Sequence, residues 1–183
     1  MPDIVSLDKE AYRGHVIRCE YITTGHYRVE ASPAGNGFAF RLAPAAFPVP
    51  VTKAFDMHLY PNYFENAEAY GVFRKDALIA VVEINHETWN NRLRITEIWV
   101  EDAWRGHGFG TDLMRHAKQR AEVLGCRMIV LETQTCNLPA IAFYHKQGFA
   151  FIGIDTTCYG NDDIAKEEVR VEMGFMLKAG NGS

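Results

Sequence analysis

Hydrophobic and polar positions change period along this chain, alternating in the first half and passing to helical spacing and unbroken apolar runs in the second. Ile95-Thr96-Glu97-Ile98-Trp99-Val100 mixes β-branched and aromatic residues with interleaved polar ones, the pattern of a strand. Leu113, Met114, Ala117, Ala121 and Leu124 then recur at helical steps, with Asp112, Arg115, His116, Lys118 and Glu122 on the opposite face. This predicts an amphipathic helix that Gly125 ends. Met128-Ile129-Val130-Leu131 is a short apolar run, as in a strand covered on both faces. Strand, loop, helix and strand form a crossover unit, so the two strands are expected to run parallel.

Upstream, Tyr27 to Ala31 and Gly37 to Leu42 alternate around the turn-rich Ser32-Pro33-Ala34-Gly35-Asn36, which predicts a hairpin. Pro44, Pro48 and Pro50 are expected to mark an ordered loop or a boundary between subregions. A second hairpin is predicted from Tyr70 to Arg74 and Ala77 to Ile84, around Lys75-Asp76, with Asn90-Asn91 turning the chain into the strand that ends at Val100. Downstream, Asn137 is a good N-cap, Pro139 is tolerated in a first turn, and Gly148 is a terminator. In that short helix Asn137, Ala140 and Tyr144 share one side. Phe149 to Ile154 and Val169 to Leu177 read as strands, with a turn at Gly160-Asn161-Asp162-Asp163.

The stretch with the clearest chemistry is Trp104-Arg105-Gly106-His107-Gly108-Phe109-Gly110-Thr111, between the first crossover strand and the helix. Its alternating glycines permit positive φ and let backbone N–H groups approach a ligand without Cβ atoms in the way. At a helix start, those amides and the positive end of the helix dipole attract an anion. Arg105 can add a bidentate charged contact and His107 another donor. Together they suit a pyrophosphate.

Composition narrows the reading. With 183 residues, 48% hydrophobic, the chain is most simply one domain. A net charge of -4 gives no electrostatic case for nucleic acid and mildly favours a cationic substrate. Cys19, Cys126, Cys136 and Cys158 stand singly, without the spacing of a metal site or redox motif, so no metal is expected. No segment reaches the roughly 18 apolar residues of a membrane helix, and the first ten residues are too charged for a signal peptide. No membrane partner is therefore expected, and a cytoplasmic location is. A dinucleotide-binding oxidoreductase would also use strand, glycine loop and helix, with Glu132 as ribose-binding acid. Against it, Thr111 stands where the third fingerprint glycine belongs, antiparallel sheet precedes the loop, and too little chain follows Glu132 for a doubly wound sheet.

Arg105-Gly106-His107-Gly108-Phe109-Gly110 after a strand, Asn137 at a helix start, and Phe143-Tyr144-His145-Lys146-Gln147-Gly148-Phe149 resemble the GNAT family of N-acetyltransferases. The resemblance covers residues 70–155 well and the N-terminal part poorly. Leu131 to Gln134, Asn137, and Gly153-Ile154-Asp155 with Tyr159 resemble its streptothricin acetyltransferase branch. It implies an α/β (α+β) fold with a mixed, mostly antiparallel sheet, a central splayed parallel pair and flanking helices. It also implies a single domain: a variable substrate-side part (1–69), an acetyl-coenzyme A core (70–155) and a C-terminal turn and strand (156–183). Acetyl-coenzyme A would pair its pantetheine with the backbone of Ile98, Trp99 and Val100 and seat its pyrophosphate on Arg105 to Thr111. Asn137, Ala140, Tyr144 and Lys146 would complete its contacts.

The implied reaction is direct attack of a primary amine on the thioester, with Tyr144 protonating the departing thiolate. The acceptor amine, at a pKa of ~10.4, is neutral in only about one molecule in 2,500 at pH 7, so a group must take up its proton. Glu97 is the candidate base, with Glu83 and Glu132 as alternatives. Glu83, Trp89 and Asp155 are candidate acceptor contacts. The acceptor implied first is a small cationic antibiotic such as streptothricin. A protein or peptide amine stands behind it, and so does a non-catalytic acyl-coenzyme A sensor of the same fold. A sheet edge in the N-terminal part could support a homodimer.

Overall fold

The computed structural model describes residues 2–177, whose contacts fall into two compact units interleaved along the chain. The first comprises Met1–Cys19, Phe55–Leu131 and Gly174–Ser183; the second comprises Glu20–Ala54 and Glu132–Met173. The elements in chain order are β1 (Val5–Leu7), α1 (Lys9–Tyr12), β2 (Val16–Ala34), β3 (Gly37–His58), β4 (Ala67–Arg74), β5 (Ala77–Glu87) and β6 (Arg92–Val100). A 3-10 turn (Asp102–Trp104) leads to α2 (Phe109–Val123), followed by β7 (Met128–Gln134), α3 (Leu138–Lys146), β8 (Ala150–Asp155), α4 (Asp163–Lys166) and β9 (Arg170–Met176). Among the described residues, no helix is long and apolar enough to cross a membrane.

The first unit is a sheet in the order β1-β4-β5-β6-β7. Its pairs are antiparallel except β6 and β7, which run parallel as the crossover predicts. Lys75 and Asn91 take positive φ in the turns before β5 and β6, the left-handed geometry of tight hairpins. Helix α2 packs against β5 and β6 and buries Phe109, Leu113, Met114, Ala117 and Ala121, most of the face read from its periodicity. Leu124 stays half-buried as the C-cap, and Gly125 ends the helix at φ 66°.

In the second unit the strand order is β7-β9-β8, beside most of the β2–β3 ribbon and the helices α3 and α4. The predicted hairpin of 27–42 is the outer part of that longer ribbon. Pro44, Pro48 and Pro50 were expected in a loop or boundary but lie within β3. A two-stranded sheet leaves each strand one unpaired edge, where a missing N–H removes no ladder bond. Gly25 of β2 is required by space: a Cβ there would overlap the Ala45 carbonyl oxygen. The strands downstream shift from their predicted bounds by at most three residues, and the turn at 160–163 runs into the one-turn α4.

Arg120 anchors α2 to the sheet, donating from Nε and Nη2 to the two carboxylate oxygens of Glu68 on β4, each at 2.7 Å. Tyr70 donates to the same carboxylate, and its ring lies 4.3 Å from that of His116. The Arg120 hydrogen bonds lower the Glu68 pKa, against an opposing contribution from burial. A carboxyl lowered on folding adds stability that is present above its unfolded pKa of ~4.3 and lost as pH falls through the folded value. Glu68→Gln is therefore expected to destabilise the protein most at neutral pH. The gap in urea midpoint between variant and parent should narrow below about pH 4, a comparison that chemical denaturation at several pH values makes directly.

Candidate active site

At the end of β6 the chain passes through Asp102–Trp104 into the glycine loop. Gly106 and Gly108 have φ of 80° and 90°, and a Cβ at either would meet nothing within 4 Å. Glycine is needed there for its backbone, and not for room. Gly110 differs from the expectation: it lies within the first turn of α2 and outside the positive-φ set. Helical bonding starts with Asp112 N–H donating to the Gly108 carbonyl at 3.0 Å, so the Phe109 and Gly110 amides come before it at the positive end of a 15-residue helix. The Phe109 ring is buried, which leaves its backbone as its part in an anion site. Thr111 follows in the same turn and is exposed.

Arg105 is turned back on its own loop, with Nη2 2.7 Å from Asp102 Oδ1 and Nε donating to the Val100 carbonyl at 3.2 Å. His107 Nδ1 lies 3.0 Å from the Arg105 carbonyl oxygen. A carbonyl only accepts, so Nδ1 carries the hydrogen in that contact, and Nε2 of the neutral ring is left as an acceptor. The donor role expected of His107 toward phosphate therefore needs the imidazolium.

The strand leading into this loop is irregular. Glu83 of β5 pairs with Glu97 of β6, but the next pair is Ile84 with Ile95, so Thr96 and Glu97 together oppose Glu83 in a β-bulge. On the other side, parallel pairing with β7 covers Arg92, Leu93 and Arg94 only, whereas pairing with β5 continues to Val100. Ile98, Trp99 and Val100 are half-buried. Glu97, also half-buried, is one of the charges felt by Cys19, whose thiol is pushed up to about 12 by burial first and Glu97 next.

Glu83, expected as a substrate contact or alternative base, is fully buried. Its Oε2 accepts from the Tyr60 N–H at 2.5 Å and its Oε1 from the Thr96 hydroxyl at 2.8 Å. Burial raises its pKa, against these two hydrogen bonds and the charge of Lys9. Trp89 is 83% exposed in the turn before β6, with the Arg92 guanidinium 5.9 Å from its ring. It stands at the far end of β6 from the glycine loop, and the structure does not bring it to the bulge.

In the second unit, Asn137 caps α3, its side-chain oxygen accepting from the Ala140 N–H at 3.2 Å. Tyr144 is buried on that helix, with the Phe143 and Phe149 rings 5.6 and 6.2 Å from its own. Ala140 is half-buried, and Lys146 is exposed in the last turn. Asp155 is exposed, and its carboxylate accepts from Thr157 N–H and hydroxyl, which makes it a turn former. Glu132 is salt-bridged to Arg170. Sequence reading missed the bulge itself, the Tyr60–Glu83–Thr96 bonds, and a cluster in which the Tyr21 hydroxyl lies 3.4 Å from both Cys136 Sγ and Gln134 Oε1. All four cysteines are free thiols, with Cys158 exposed and the others buried.

Comparison with known proteins shows the family and the fold. The sequence profile of the acetyltransferase (GNAT) family matches residues 37–149. A streptothricin acetyltransferase of Streptomyces lavendulae is 32% identical over 160 residues, covering 83% of this chain and 82% of that one. The crystal structure of a nourseothricin acetyltransferase superposes with a TM-score of 0.77 at 26% identity, covering 96% and 98% of the two chains. A Bacillus anthracis protein solved in complex with acetyl coenzyme A shares the fold, with a TM-score of 0.74 at 23% identity over 97% and 98%.

If the glycine loop holds the coenzyme pyrophosphate, Gly108→Asp places a carboxylate among the phosphates and an L-residue at φ 90°. Calorimetry is expected to show coenzyme A binding weakened at least about tenfold, with a smaller loss for Gly108→Ala, which adds strain without charge.

Proposed function

Since the chain belongs to the acetyltransferase (GNAT) family and is an N-acetyltransferase using acetyl-coenzyme A, we propose that its acceptor is a primary amine of a streptothricin-type antibiotic, acetylated by direct attack within a single domain. The observation that supports this reading is the extent of the likeness to the Streptomyces lavendulae streptothricin acetyltransferase. A match over 83% of the chain cannot be contained in residues 70–155, so it takes in part of residues 1–69, which we read as the substrate side.

Each residue then has a role that its surroundings allow. Amides from Gly106 to Thr111, with Arg105, receive the pyrophosphate, and the Ile98–Val100 backbone receives the pantetheine arm. Asn137 spends its oxygen on the helix cap, so its amide NH2 is the end that meets the pantetheine. Glu97 draws the acceptor ammonium and takes its proton, directly or through water. Tyr144 gives a proton to the sulfur as the C–S bond breaks. A thiol titrates near ~8.5 and a tyrosine near ~10, so transfer to a fully formed thiolate would be uphill by about 2 kcal/mol. Proton movement and bond breaking therefore go together.

Release of coenzyme A thiol on mixing the protein with acetyl-coenzyme A and streptothricin tests the acceptor. Turnover is expected with streptothricin, and little with polyamines or peptides. Preference for a peptide amine would replace the acceptor, and absence of turnover with every amine would leave a coenzyme sensor.

Tyr144→Phe keeps the buried ring and removes the proton donor. Turnover is expected to fall by ~10²- to 10⁴-fold while the dissociation constant of acetyl-coenzyme A stays within about threefold, the mark of a contact made in the transition state. Near-normal turnover would assign Tyr144 to packing.

A further inference from the structure

We propose that Glu83 is a positioning residue for acetyl transfer, clasping Thr96 and Tyr60 so that the β6 bulge holds Glu97 and the Ile98–Val100 edge in the register that the reaction uses. The inference rests on the reading of Glu97 and of that edge given above. Its starting point is a carboxylate in an apolar strand: Ala80, Val81, Val82 and Ile84 around Glu83 are all buried, and so is Glu83. A branched apolar side chain would fill this position as its neighbours do. A buried carboxylate is unfavourable unless its oxygens are hydrogen-bonded. What it offers that Val or Ile does not is two acceptors, and here both are used.

The two donors differ in kind. Tyr60 is a fixed point: it takes φ 54°, its hydroxyl donates to the Leu7 carbonyl at 2.6 Å, and it accepts from the Ala69 N–H at 2.8 Å. A non-glycine residue persists in the left-handed region when its surroundings over-determine it, and bonds to β1 and β4 do so here. Thr96 is the movable partner, since it is the extra residue of the bulge. Without the bulge, β6 would pair with β5 one residue out of step beyond Ile95. A one-residue slip exchanges the two faces of a strand, so Glu97 would cross to the other side and the N–H and C=O groups of Ile98–Val100 would exchange edges. The Glu83–Thr96 bond holds the bulge against that slip, from an anchor that β1 and β4 keep in place.

Thr96→Val preserves shape and removes the hydroxyl; Thr96→Ser keeps it. Calorimetry with acetyl-coenzyme A, at a temperature where every variant is folded, is expected to show Thr96→Val weakening binding about tenfold or more, as for a lost hydrogen bond to a charged group. Thr96→Ser should stay within about twofold. Glu83→Gln should weaken binding as well, and the double variant Glu83→Gln/Thr96→Val should be no worse than the weaker single one, because both act on one clasp. If Glu83→Gln does not fold, the half-buried Thr96 pair carries the test alone. A Thr96→Val protein with a lowered melting temperature but unchanged acetyl-coenzyme A affinity and turnover would overturn the inference, leaving the clasp a stabilising contact only. A parent protein that shows no acetyl-coenzyme A binding would instead remove the reading of the edge, and this inference with it.

Discussion

Parallel pairing between β6 and β7 stops after three residue pairs, and the chemistry proposed for this chain depends on its stopping there. β6 continues to Val100 with its opposite edge still paired to β5. Backbone N–H and C=O groups away from bulk water need partners. An open edge beside half-buried residues is thus a template for an extended molecule with amides of its own, and the pantetheine arm of coenzyme A has that form. An unpaired strand edge is otherwise a liability for self-association. On the proposed reading a ligand takes the place of the missing strand.

The same strand delivers the chain to the glycine loop, so on the proposed reading one element sets both the extended and the charged ends of the cosubstrate's path. The overall charge of -4 does not oppose an anion at that point, because the helix N-terminus and Arg105 act within a few ångströms while distant surface charges are screened beyond a Debye length of ~8 Å. The Arg105–Asp102 pair could be thought to hold the guanidinium back. It does not compete strongly: Asp102 is 70% exposed and Arg105 45%, and exposed pairs of this kind are worth at most about 1 kcal/mol. On the proposed reading a pyrophosphate held by Arg105 and helix amides together outweighs that.

Local signals were the legible ones. The glycine loop, the apolar face of α2, and the Asn137 and Gly148 ends of α3 are written in short windows, and the first two also fix the parallel crossover. What depends on distant chain was hidden. Prolines in β3 read as loop because only the two-stranded context of the ribbon makes them tolerable. Trp89 and Asp155 look like recognition residues in sequence; the structure places the first exposed in a turn and has the second close a turn on Thr157. Glu83 did leave a signal, a lone carboxylate inside an apolar run, but its meaning needed Tyr60, 23 residues away, and the bulge across the strand pair. A bulge is a count of pairing partners, which one strand's own pattern does not contain.

On the proposed reading of Glu97, acidities decide when in the reaction it acts. Its charge helps to push the Cys19 thiol toward the neutral form, after burial and against the charge of Arg105. A carboxylate beside an acceptor amine favours the ammonium form. A free carboxylate at ~4.3 facing an ammonium at ~10.4 lies about six units, or roughly 8 kcal/mol, on the wrong side for transfer before attack. On the proposed reading Glu97 therefore serves first as the counter-ion that draws the cationic acceptor in, and becomes a base only as the nitrogen bonds to the acetyl carbon and its acidity rises. The bulge matters for the same reason: a carboxylate that acts late has to face the nitrogen throughout the approach, and its register on β6 determines which face of the strand it occupies.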